Sequence, residues 1–222
     1  MAREAPLNGC LPLLFSHFYS SNHVTHQCLR TTYGVTGSMP KHQDNQMSHE
    51  HDGCCGCAPR DPMQRERQFA DAMRREAQGY LNPEQLPLAR AMLNASRTVL
   101  AARGGVNGEI GVWLLVAEAH LPEIEGNSAQ ALIEHQAALD LSEKDLGGEH
   151  LATGVCLLNV AETLVNLGRP ADAKPLYERA NEILTKCAEG YKETDEYMCN
   201  FASEAASAAL VGLEAAAQKT AE

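Results

Sequence analysis

One helix face is written three times at a fixed interval of 42 residues. Ala89, Ala131 and Ala173 form one column, and Leu93, His135 and Tyr177 the next. Ser96, Ala138 and Ala180 form a third, and Val99, Leu141 and Ile183 a fourth. Steps of three and four residues between the columns keep these side chains on one side of an α-helix. A period of this size marks stacked helical hairpins, in which each unit buries its apolar face only against its neighbours. Proteins built this way work by presenting a surface to a partner, so the period argues against an enzyme.

The composition fits that reading. Apolar residues make up 44% of the 222-residue chain, enough for a core, while aromatic residues make up only 5%. An alanine-rich, aromatic-poor core suits closely packed helices better than sheets. The net charge of −11 is unevenly placed: residues 105–222 hold 20 of the 29 acidic residues and 7 of the 18 basic ones. An acidic body repels phosphate backbones, which excludes nucleic acid as a partner and favours a basic peptide or protein surface.

No run is long enough to cross a bilayer. The longest apolar stretch is Val112 to Ala117, against the roughly 20 residues a spanning helix needs. Leu11 to Phe15 is likewise shorter than the roughly 7–15 residues of a secretory core. The eight cysteines are therefore expected in a reducing compartment, the cytoplasm. Cys156, Cys187 and Cys199 fall within helical patterns and read as small buried hydrophobes.

Two regions follow. Residues 1–63 carry six of the nine histidines and five of the eight cysteines without helical or strand period, and read as a disordered tail. Their early part is acid-poor, which gives mitochondrial targeting as the alternative location, and Met47 is an alternative start to Met1. From residue 64 to 218 the pattern is helical. Helices are predicted near 64–79, from 84–87 to 103, and near 107–121, 128–146, 150–167, 170–188 and 193–218. Gly104-Gly105, Gly147-Gly148 and Gly168 mark stops, Asn127 or Ser128 a cap, and Pro122 the end of the third helix. The fold class is all-α: a solenoid of about seven helices preceded by the tail.

The segment Leu146 to Ile183 resembles the tetratricopeptide repeat, in the 42-residue variety of kinesin light chains. The residues that carry the likeness are Leu146-Gly147, His150, Leu157, Asn159 and Ala161. Gly168-Arg169, Ala173, Pro175-Leu176-Tyr177, Arg179-Ala180 and Ile183 complete it. Gly111 to Leu141 reads as a second copy and 64–103 as a degenerate third. Met198 to Ala202 echoes Leu157 to Ala161, so the last helix looks like the first half of a further copy. The resemblance implies helical hairpins whose first helices line a groove, where asparagine side chains hold an extended peptide. An asparagine amide both donates and accepts, so it can pair with any peptide backbone. Asn159 and Asn200 occupy equivalent places and are the expected peptide-binding residues; Leu115 stands near that place in the preceding copy. Glu118 and Glu162 also match and would set groove charge, while Trp113 reads as core.

Catalytic chemistry is not visible: there is no nucleophile–base motif, no phosphate-binding glycine loop and no HExxH helix. A separate cluster lies in the tail, where His49, His51, Cys54, Cys55 and Cys57 fall within nine residues. Imidazole and thiolate together suit zinc or copper(I). Structural zinc sites pair two separated knuckles, and here there is one CxxC alone. Incidental metal affinity of a tail, a redox pair and lipidation remain alternatives. The expected function is a non-enzymatic adaptor or assembly factor binding a protein or peptide partner, without an assigned cofactor. The alternatives are a zinc- or copper-handling protein using the tail, or a fixed subunit of a larger complex.

Overall fold

The computed structural model describes residues 62–220. Among these, seven helices follow one another: α1 (Pro62–Gln78), α2 (Leu86–Ala102), α3 (Gly108–Ile124), α4 (Ser128–Asp145), α5 (Leu151–Asn166), α6 (Pro170–Tyr191) and α7 (Glu196–Thr220). No strand occurs among the described residues. The cluster of His49, His51, Cys54, Cys55 and Cys57 lies outside them.

The period is a property of the second helix of each hairpin. α2, α4 and α6 begin at Leu86, Ser128 and Pro170, two steps of 42 residues. Three of the four columns are buried in every copy. In the fourth, Ile183 is buried while Val99 and Leu141 are half-buried. The turns repeat as well. Gly126 and Gly168, also 42 apart, take φ of 79° and 74°, a left-handed conformation that a Cβ would strain. The residue after each glycine closes the helix end. The Asn127 N–H donates to the Pro122 carbonyl at 2.8 Å, and the Arg169 N–H to the Leu164 carbonyl at 2.9 Å. Asn127 then caps α4, its side-chain oxygen accepting from the Gln130 N–H at 3.2 Å.

Pro122 does not end α3, contrary to the sequence expectation; the helix runs on to Ile124. A proline removes its own N–H and crowds the carbonyl four residues back, here once and in the last turn. The Glu125 N–H still reaches the Leu121 carbonyl at 3.2 Å, and burial of the ring offsets the lost bond. The sixth helix is also longer than expected and ends at Tyr191. The seventh starts at Glu196, where the Asp195 carboxylate accepts from the Met198 N–H at 3.0 Å.

The helices form two rows. α1, α3, α5 and α7 touch in succession. α2, α4 and α6 each pack on the helices before and after them in the chain but not on one another. The row whose helices touch one another is called the inner row. The core comes in two parts that share α3. Ala70, Ala89, Leu93 and Leu100 of α1 and α2 pack with Leu114, Ala117 and Leu121. Val112 and Val116, on another side of α3, join the larger cluster built on α5, α6 and α7. α5 is buried at every position from Leu151 to Ala161, which fits its nearly uninterrupted apolar sequence.

Candidate functional site

Asn159 lies in the middle of α5, on the inner row. It is 2% exposed, and neither its amide oxygen nor its amide nitrogen has a hydrogen-bond partner. An unpaired buried amide costs about 1–3 kcal/mol, so this is an unusual place for an asparagine. Its backbone is conventional: the Thr163 hydroxyl donates to the Asn159 carbonyl at 2.8 Å. Asn200 lies on α7 and is exposed. The repeat register thus equates two asparagines with different surroundings.

An aromatic pair joins α3 and α7. α3 and α7 flank α5, yet Trp113 of α3 meets Phe201 of α7 edge to face, with ring centroids 6.4 Å apart. Both rings belong to the cluster built on α5. Trp113 is half-buried rather than fully enclosed, and its indole N–H donates to Glu109 Oε1 at 3.3 Å.

The two matched glutamates also diverge. Glu118 accepts from the Arg97 guanidinium, with one bond of 2.7 Å, across α2 and α3. This pair lies in an open cleft between α2 and α4, together with Leu115, Glu134 and the Arg90–Glu125 ion pair of 2.5 Å. Glu162 lies on α5, largely enclosed. Burial, reinforced by the nearby Glu123 carboxylate, pushes its carboxyl up to about 8. It is therefore mostly protonated at neutral pH.

A third group was not anticipated. His120 and Glu123 sit one turn apart at the end of α3, and His135 reaches them from α4. His120 Nδ1 is 3.0 Å and His135 Nε2 3.7 Å from Glu123 Oε2. The two imidazoles stand edge to face, with centroids 5.1 Å apart. His135 is 1% exposed, and burial lowers its affinity for a proton, although Glu123 pulls the other way. Burial pushes the Glu123 carboxyl up, but the two histidines hold it well below the usual carboxylate range. The signal lay in the period: His135 occupies the column that Leu93 and Tyr177 fill in the other copies. An ionisable group at a core position asks for a partner.

The cysteines divide. Cys156 is buried, and burial pushes its thiol up to about 12, so it is a chemically quiet core residue. Cys187 and Cys199 are only half-buried, less than the sequence pattern implied. No described helix is long and apolar enough to cross a membrane.

Residues 112–186 match the family described as tetratricopeptide repeat. The match runs from Val112 in α3 to Lys186 in α6, the segment containing Asn159 and the His120–Glu123–His135 group. No curated protein matches the chain.

Proposed function

This is a tetratricopeptide repeat protein, and on that premise we propose that it is a non-enzymatic adaptor or assembly factor that holds a protein partner on its inner helical row. The observation that carries the reading is the unpaired amide of Asn159 on the central inner helix. A peptide backbone offers both the donor and the acceptor this amide lacks. Asn200, exposed on the next inner helix, supplies a second contact of the same kind. The acidic balance of residues 105–222 favours a basic partner segment and disfavours nucleic acid. The 42-residue spacing of α2, α4 and α6 supports the kinesin-light-chain variety of the repeat. The three described cysteines are free thiols, which suits the cytoplasm.

The test is affinity purification with mass spectrometry on the full chain and on Asn159→Ala/Asn200→Ala. The parent chain is expected to hold a specific protein that the double variant loses. The variant should unfold within about 1 kcal/mol of the parent, because Asn159→Ala removes an unsatisfied amide. No specific partner for the parent, or the same partner held equally by the variant, counts against this reading. A fixed structural subunit is the second reading, favoured by Leu210 and Val211, both about half exposed on α7. Self-association of the isolated chain in size-exclusion chromatography distinguishes it.

A further inference from the structure

We propose that His120, Glu123 and His135 form a binding site for a borderline divalent cation of the Zn²⁺ class, where the second hairpin meets the third. The three side chains come from two helices, and one potential ligand atom of each lies within 4.8 Å of the other two. Two of the separations are 3.0 and 3.7 Å. Ligand bonds of about 2.0–2.2 Å in a tetrahedral set place donor atoms about 3.3–3.5 Å apart, so small side-chain rotations close this triad on an ion. Two imidazoles and a carboxylate are borderline-to-hard donors, which suit Zn²⁺ and not copper(I).

The independent observation is His135. It is 1% exposed, it points into the cluster, and neither ring nitrogen has a hydrogen-bond partner. Coordination through Nε2 would replace the 3.7 Å approach to Glu123 Oε2, too long for a hydrogen bond, with a direct bond. Leu93 and Tyr177 at the corresponding positions show that the fold tolerates an apolar or aromatic side chain there, so stacking alone does not call for a histidine. The site is reachable: the side chains of His120 and Glu123 are 14% and 26% exposed. Three protein ligands leave a fourth position for water.

The experiment uses the full chain with the tail cluster removed (His49→Ala, His51→Ala, Cys54→Ser, Cys55→Ser, Cys57→Ser), stripped with EDTA and dialysed against Zn²⁺ alone. The chain is expected to bind a single Zn²⁺ per molecule and to melt at a higher temperature with it, as mass action requires. His135→Leu, which restores the residue type of Leu93, and Glu123→Gln should each weaken binding by at least about tenfold and lose the thermal shift. Circular dichroism checks that each variant is folded, and Glu123→Gln decides the matter if His135→Leu is not. Failure of the chain to bind Zn²⁺ overturns the proposal. So does undiminished binding in either folded variant.

Discussion

At the scale of single residues, the interior of this chain is unusual for what it leaves unpaired. Glu162 gives a pH signature. Its carboxyl is raised to about 8, from 4.5 for an ordinary glutamate, so between those values the folded chain holds a proton that the unfolded chain has lost. The stability it contributes is complete below about 4.5 and is lost as pH rises through about 8. In metal-free full-length protein, Glu162→Gln is therefore expected to flatten the fall in melting temperature between about pH 5 and about pH 8, and to be the more stable chain at the upper end. Identical pH profiles for parent and variant would place the Glu162 carboxyl in water. None of this was readable from sequence. The period located Glu162 on a first helix, but whether a groove carboxylate faces solvent or neighbouring helices depends on how the copies close on one another. His135 was different, because an ionisable residue in a column of core residues was visible in the period itself.

At the scale of elements, contact between successive helices depends on small residues at particular points. α7 lies against α6 so closely that a Cβ at Gly212 would stand 2.4 Å from Tyr177 Cε1 and 2.5 Å from Cζ. Tyr177 is 2% exposed and enclosed in the larger core cluster, so the ring has little room to yield. At Gly190, near the end of α6, a Cβ would have nothing within 4 Å of it. Alanine is the better helix former by up to about 1 kcal/mol, so Gly190→Ala is expected to stabilise slightly. Gly212→Ala gains the same propensity but overpacks the seam, which costs about 1–3 kcal/mol, and is expected to destabilise. Urea denaturation of the two variants reads the opposite signs; a stabilised Gly212→Ala would mean that α7 is held more loosely than its packing indicates. Helix limits were legible because glycines, prolines and caps punctuate this sequence. Pro122 misled, since one bond lost in the last turn did not stop this helix, which runs on to Ile124. The close seam at Gly212 was hidden, because it depends on the angle at which α7 returns onto α6.

At the scale of the whole molecule, the stack is only as cooperative as the interfaces between its hairpins. α2 contacts α1 and α3 but not α4, so the first hairpin is joined to the rest through α3 alone. Its core cluster is the smaller of the two, and several large side chains of this end, Met63, Phe69 and Leu88, are about half exposed. A buried anchor holds α1 in shape: Asp71 accepts from Arg74 at 2.9 Å and also pairs with Arg75. Burial pushes the Asp71 carboxyl up, but the two arginines pull it below the usual carboxylate range. That anchor lies within α1 and adds nothing to the joint with the other hairpins. α5, by contrast, is enclosed by α3, α4, α6 and α7 together. In an array with nearest-neighbour energetics, the weakly joined end opens first. Native-state hydrogen exchange on the full chain should therefore find the amides of α1 and α2 exchanging through a low-energy local opening. Those of α5 and α6 should exchange only near the global unfolding free energy. Uniform protection from α1 to α7 would mean that the shared face of α3 couples the two core clusters into one cooperative unit. In that case a partner or a cation acting at α3 would stabilise both ends of the molecule at once.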